Sequence, residues 1–233
     1  MLAIRHVPAM PSNIPATPAP PKVEGSNRSA SPDRKSSPPI VQTHLHRASD
    51  ILKDNALAHT LTTFINEGYA TSSLYPSTRW DHQPVRFHTP TDIHDMLGTD
   101  GMIAAIYHIS REGGQTEPVA VASISRWHGD MDGVGAQDED GWEIKAVTTK
   151  SGWGKMGLVG RCIETITQDL IAQEQSHGEE KVKLWLHAVE EVNGDYWRRR
   201  GWNDVRGFNR PEGYWGSKFG FRLSVLLKEV DVH

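Results

Sequence analysis

Only one cysteine, Cys162, stands in this 233-residue chain. No intrachain disulfide can form, and that usage fits a reducing compartment. Long apolar runs are also missing. None approaches the roughly 18 residues of a membrane-spanning helix, so no membrane partner is expected. The opening MLAIRHVPAMP lacks the apolar centre of a secretory signal. It carries no acidic residue before Glu24, as a transit peptide would, but its prolines break the amphipathic helix such a peptide needs. A cytoplasmic protein follows, with nucleus and mitochondrion left open. A formal net charge of −4 leaves no electrostatic footprint for nucleic acid. The twelve histidines show no metal-ligand spacing. His44 and His46 alternate on a probable strand, but two ligands alone make no site, and no metal is expected.

What is present divides the chain in two. Residues 1–40 hold nine of the fourteen prolines and six serines, with few large apolar residues. Such a segment buries too little surface to offset its ordering entropy, so it reads as a disordered tail. Its five basic residues outnumber its two acidic ones, a net +3 within the total of −4, so the remainder carries −7. The tail is either a targeting or partner segment or an extension without a role. Residues 41–233 read as one globular domain.

Within that domain the pattern predicts a strand over Ile40 to Leu45. A helix capped by Ser49 or Asp50 follows and stops at Gly68. TPTDIHDMLG reads as a short helix capped by Thr91 or Asp92 and ended by Gly98. GMIAAIYHIS and VAVASISRW read as a hairpin around REGGQTEP. HGDMDGVGAQDEDG is a loop without periodicity. WEIKAVTT is a strand, and the helix after it lines up Val159, Cys162, Ile163, Ile166 and Leu170. KVKLWLHAV is a strand, a short helix spans about Asn193 to Arg200, and two strands surround RPEGYWGSKFG. This order predicts an α/β mixed sheet with helices on both faces.

The stretch TTKSGWGKMGL joins the WEIKAVTT strand to its helix. A helix N-terminus presents N–H groups without partners, and the macrodipole adds positive character. Gly152, Gly154 and Gly157 let those amides approach an anion with no Cβ in the way. The turn is either a phosphate cradle or a purely structural connection. It is not the nucleoside-triphosphate pattern, because Lys155 is followed by Met156, and it does not fit the dinucleotide fingerprint.

A second motif, DYWRRRGW at residues 195–202, follows the next strand. Together the two motifs resemble the GCN5-related N-acetyltransferase (GNAT) superfamily. That family's strand, Gln/Arg-x-x-Gly-x-Gly/Ala turn and helix fall on Gly152 to Gly157. Its aromatic pair, three residues, glycine and aromatic fall on Tyr196 to Trp202. The resemblance covers roughly residues 41–230, and FINEGYATS resembles fungal members. The sequence departs from the family pattern in four places. Gly152 replaces the Gln or Arg, Lys155 replaces the first glycine, and Trp197 stands where a tyrosine often protonates the departing thiolate. Glu190 holds the place of a common asparagine.

The resemblance implies a fold with a central mixed, twisted sheet of six to seven strands flanked by about four helices. It implies acetyl-CoA, or a longer acyl-CoA, as co-substrate and an amine as acceptor, either a small molecule or a protein lysine or N-terminus. Val147 and Thr149 would pair with the pantetheine arm. Gly152, Gly154, Lys155, Met156, Gly157 and Leu158 would hold the pyrophosphate, with Trp197 beside the coenzyme. Glu143 would take the amine proton, with Glu190 and Glu191 as lesser candidates. Strand alternation puts Glu143 on the same face as Lys145 and Val147. Tyr196 or Tyr214 would return a proton to the thiolate, or none is needed, since a thiol near pKa 8.5 leaves readily near neutral pH. Tyr69, Tyr75, Trp80, Tyr214 and Trp215 would line the acceptor side, and Asp81 or Glu212 would meet a cationic amine. Cys162 reads as a small core residue. Arg198 to Arg200 read as a solvated helix face or as a phosphate contact. A folded domain without turnover, binding coenzyme A or a protein partner, remains the alternative. A monomer or a homodimer is open.

Overall fold

A computed structural model describes residues 39–72, 77–81, 85–110 and 114–232. The expected tail, apart from its last two residues, lies outside them. Seven strands form one sheet: β1 (Val41–Arg47), β2 (Met102–Ile109), β3 (Gln115–Arg126), β4 (Trp142–Thr149), β5 (Lys181–Val189), β6 (Asn203–Arg210) and β7 (Phe221–Asp231). Their spatial order is β1-β2-β3-β4-β5-β7-β6. Every neighbouring pair is antiparallel except β4 and β5. The helices are α1 (Ala48–Lys53), α2 (Asn55–Ala70), α3 (Pro90–Leu97), α4 (Leu158–Gln175) and α5 (Asp195–Arg198).

The sheet separates two cores. Ile103, Ala105 and Val121 pack beneath Ile51, Leu61, Ile65, Ile93 and Leu97 of α1, α2 and α3. Ala104, Ile106, Ala122 and Ile144 face α4, which buries Leu158, Cys162, Ile166 and Leu170 at four-residue spacing. Burying each such aliphatic chain contributes about 1.5–3 kcal/mol. Cys162 is fully buried, and desolvation pushes its thiol up to about 12. It is an inert core group.

Several boundaries differ from the sequence reading. The first expected helix is two. Asp54 is extended and accepts the Ala56 and Leu57 N–H groups, so it ends α1 and caps α2. Asp50 is no cap; it reaches back to the Arg47 N–H from the third helical position. Gly68 does not stop α2, which continues to Ala70. A Cβ at Gly68 would stand 2.1 Å from the Thr148 hydroxyl, so this glycine is spent on bringing α2 against β4. Thr89, not Thr91 or Asp92, caps α3, with Pro90 in the first helical position and Asp92 accepting the Thr89 hydroxyl at 2.7 Å. The late helix is a π turn, Glu190–Gly194, running into α5.

The acidic loop between β3 and β4 is folded, and four of its five carboxylates are held by basic side chains. Asp130 is buried and accepts the N–H groups of Asp132 and Val134 and the Arg206 guanidinium. Arg206 also holds Glu139, Arg210 holds Asp132, and Lys183 holds Asp140. Trp127 stacks flat on Trp185 at 4.8 Å, so the loop covers β5 and its neighbours on the face that carries α1 to α3.

Arg198 ties α5 to the sheet. It reaches Glu190 at 2.6 Å and Asp204 at 2.7 Å, while Ser224 donates to Glu190. The Arg198 and Ser224 hydrogen bonds hold the Glu190 carboxyl at about 2, against an ordinary 4.5. A carboxyl lowered in the folded state stabilises fully above its unfolded value and stops doing so as pH falls through its folded value. Arg198→Gln should therefore cost on the order of 1–2 kcal/mol at pH 7, after allowance for solvent screening. It should also lose stability less steeply than the unsubstituted chain between about pH 4.5 and 2. Urea unfolding at several pH values checks both expectations.

Candidate active site

β4 and β5 pair at only two positions, Trp142 with Leu184 and Glu143 with Trp185. Beyond Glu143 the two strands part. The reason is written into β4. Ala146 has φ 45°, a left-handed value, and the β3 register slips between Val121 and Ser123. Such a bulge bends its strand and re-aims the residues that follow. A left-handed alanine costs on the order of 1–2 kcal/mol, which the fully formed β3 pairing on either side sustains.

The bulge corrects one expectation. Glu143 and Lys145 do share a face, at 2.7 Å from each other. Val147 does not share it. Ala146 takes the face beneath α2, and Val147 packs toward the α4 core. Thr149 still pairs with Ala120 of β3. The β4 backbone from Ile144 to Thr149 therefore has no ladder with β5.

The glycine turn sits at the head of this opening. Gly152 (φ 83°), Lys155 (φ 64°) and Gly157 (φ 73°) are left-handed. Gly157 caps α4 without a side chain, and the first turn of α4 holds no acidic residue. The helix thus offers its first N–H groups uncovered. An ideal Cβ at Gly152, Gly154 or Gly157 meets nothing within 4 Å. The turn is open and not filled by the protein's own side chains. Met156 is exposed and Leu158 is buried under the turn. Trp153 packs near His108 of β2 at 5.3 Å, and Lys150 pairs with Glu117, so both flanks of the cradle are fixed.

Glu143 is 8% exposed. It accepts from His187 Nδ1 at 2.9 Å as well as from Lys145. Burial pushes its carboxyl up, but the His187 bond and the Lys145 ammonium outweigh burial and hold it below the ordinary value. It is an anchored carboxylate. Of the lesser candidates, Glu190 is locked to Arg198, and Glu191 is exposed with Arg79 at 3.7 Å. Sequence reading missed His187. KVKLWLHAV places it on the face of Trp185 and Val189, but only the β4–β5 register shows that this face meets Glu143.

Tyr196 is half-buried, edge-on to Trp197 at 5.0 Å and covered by the Arg200 guanidinium at 3.6 Å. Trp197 is buried against Trp202 in the α4 core. Arg198 is committed to carboxylates and is not a free phosphate contact. Tyr75 lies outside the described residues. Tyr69 packs against the α2 core beneath the Arg86 guanidinium at 4.4 Å. The segment after α2 and the β6–β7 connection meet. Asp81 N–H donates to Gly216, Lys218 pairs with Asp81, and Trp80 packs on Phe221. Tyr214 joins that cluster and donates to the Met131 sulfur. Trp215 is exposed, with φ 54°. Two surface depressions lie elsewhere, one by Asp140 and Lys183 and one by Glu191 and Arg222. Neither is lined by any residue of Ile144 to Thr149 or of the glycine turn.

No family model matches the sequence, and no curated protein matches it. Solved structures do. An acetyltransferase of the GNAT family from Streptococcus pneumoniae aligns with a TM-score of 0.54 at 10% identity, covering 82% of this chain and 99% of that one. The polyamine N-acetyltransferase of Drosophila melanogaster gives 0.52 at 12% identity, over 81% and 100%. The Arabidopsis thaliana NAA60 in complex with acetyl-CoA gives 0.51 at 12%, over 82% and 99%. The chain has the GNAT acyl-CoA N-acyltransferase fold. The seven-stranded mixed sheet and five helices agree with the expected architecture. Among the described residues no helix is long and apolar enough to cross a membrane, and no group of three metal-ligating side chains occurs.

Within a GNAT-fold cradle, Lys155 is the costly residue. A left-handed lysine is strained by about 1–2 kcal/mol, and glycine returns about 0.4–1 kcal/mol of that through unfolded-state entropy. Lys155→Gly should gain about 0.5–1 kcal/mol over Lys155→Ala, which keeps the strain. Equal urea midpoints for the two variants would contradict the backbone reading.

Proposed function

We propose that this chain is an acyl-CoA-dependent N-acyltransferase that moves an acetyl group from acetyl-CoA to a primary amine by direct attack. The observation that carries the reading is the β4–β5 ladder that stops after Glu143, with an open glycine cradle at its head. A thioester arm laid along β4 finds the Ile144 to Thr149 backbone without β5 partners. The amides from Gly152 to Leu158 would hold the pyrophosphate, and Lys155 adds a cation there. The bound thioester supplies an activated acyl carbon. The protein positions the amine, accepts its proton and excludes water. Tyr196, the one hydroxyl of the late motif, is the candidate to return a proton to the sulfur.

The acceptor would enter on the α1 to α3 face, between the segment after α2 and the β6–β7 connection. The similar solved proteins include a polyamine N-acetyltransferase. That likeness supports an amine acceptor and does not choose among small amines, protein lysines and N-termini.

One observation favours a second reading. Trp197 is buried and has no hydroxyl at the position of the usual proton donor, so a coenzyme A-binding domain without turnover is the alternative.

Two measurements on the full chain separate these readings. Acetyl-CoA at about a hundred times its dissociation constant should add roughly 2.7 kcal/mol, a rise in Tm of roughly 5–11 °C, while ADP or phosphate should give less. Amines should then drive release of free thiol. A rise in Tm without thiol release from any amine would select the non-catalytic reading. No rise would remove both readings.

A further inference from the structure

Resting on the acyltransferase reading, we propose that the acceptor is an acidic peptide. Its carboxylate side chain binds Arg222 at the hairpin end of β6 and β7, about four residues from the amine that is acylated. A depression of about 310 Å³ lies there, between Glu191 in the π turn after β5 and Asn209, Arg210, Gly220, Phe221 and Arg222 of the hairpin. That is the lower range of small-ligand pockets, about 300–1,000 Å³. It is rich in donors. Among the described residues the Arg222 guanidinium makes no ion pair; only its backbone N–H is bonded. Glu190 and Asp204 feel its charge, but Arg198 already holds both. Arg210 spends its terminal nitrogens on Asp132 at 3.0 and 2.9 Å, and its Nε–H is buried without an acceptor. A buried donor without an acceptor is uncommon and calls for a ligand. Glu191 is the only acid lining the depression. It accepts the Arg222 backbone N–H at 3.3 Å and faces Arg79 at 3.7 Å.

Arg222 is held in place before any ligand arrives. A Cβ at Gly207 of β6 would stand 2.8 Å from Arg222 Nη2 and 3.0 Å from its Cζ, so the guanidinium lies against bare backbone. Such preorganisation reduces the entropy lost when a partner binds. A guanidinium takes a carboxylate through paired N–H donors, and the match is geometric as well as electrostatic.

The place fits an acceptor, and the span fixes its length. Phe221 lines the depression and also packs on Trp80, while Arg79 beside Trp80 reaches Glu191. A coenzyme arm that starts at the glycine turn and runs back along β4 brings its thioester to the end of the ladder, at Glu143 and Trp185. Val189 pairs with Leu223, so Arg222 lies one strand step past Val189 and about 16 Å past Trp185. An extended peptide covers about 3.3–3.6 Å per residue and bridges this in about four or five residues. An α-amino acid carries its carboxylate beside its amine and cannot reach both places. A polyamine brings only positive charge to Arg222 and Arg210.

The test uses the full chain, acetyl-CoA, spermidine and two peptide sets. One set has a free N-terminus; the other is blocked there and carries a single lysine. Each set places Glu, Gln or Arg four residues from the amine. The Glu peptide should show a KM about tenfold below that of the Gln peptide, with kcat within about twofold. Arg222→Gln should erase that difference and leave kcat/KM on the Gln peptide within about twofold. Arg222→Glu should favour the Arg peptide. The rise in Tm on adding acetyl-CoA should be the same in both variants, because Arg222 stands away from the coenzyme. One readout needs no variant: raising ionic strength from about 0.05 to 0.5 M should narrow the difference between Glu and Gln peptides. Equal KM for those two peptides, a preference that survives Arg222→Gln, or turnover of spermidine and of no peptide would overturn the inference alone. No turnover of spermidine or of any peptide would overturn the acyltransferase reading and the inference with it.

Discussion

The parting of β4 from β5 is the constraint on which the rest of this molecule depends. Parallel strands joined by a helix normally run as neighbours for their whole length, and here they hold two positions and separate. Separation leaves backbone groups without ladder partners inside a protein, which is costly unless something else takes them. The fold sustains the opening from outside. β3 pairs with β4 on both sides of its bulge, β7 pairs with β5 over nine positions, and α2 lies so close to Thr148 that only glycine fits at residue 68. Each of these contacts fixes one wall, so the gap can be rigid without being filled.

Charge follows the same plan. The remainder after the tail is negative in sequence, and four of the five carboxylates of its acidic loop are held by Arg206, Arg210 and Lys183. That pairing makes the loop a wall and not a free acidic attractant, while the domain's net charge, in which these cations are already counted, is unchanged by it. Near the opening the pattern differs. Glu143 and Lys145 neutralise one another, and among the described residues the buried His187 Nε2 has no hydrogen-bond partner.

Much of the architecture was legible in the sequence because it rests on short-range signals. The strand, glycine turn and helix of residues 142–175 are local, and so is the aromatic run that ends at Gly201. What was not legible depends on register. Nothing local says that Ala146 is left-handed, so simple alternation misplaced Val147. Nothing local pairs β4 with β5, so His187 went unread while Glu143 beside it was singled out. Gly68 looked like a helix stop because a glycine inside a helix shows its purpose only when the neighbouring strand is known. Asp54, a cap in the middle of an apolar-periodic run, was missed because the periodicity continues across it.

Amide hydrogen exchange of the full chain with and without acetyl-CoA tests the central claim most directly. The account predicts slowed exchange in three stretches: the parted half of β4 at 144–149, the cradle and first turn of α4 at 152–161, and the end of β5 into the π turn at 187–194. The acidic loop and the outer strands β1 and β6 should change little. Unchanged exchange in the first two stretches, under conditions where acetyl-CoA binds, would contradict the claim that the parted strands and the glycine turn form the coenzyme site.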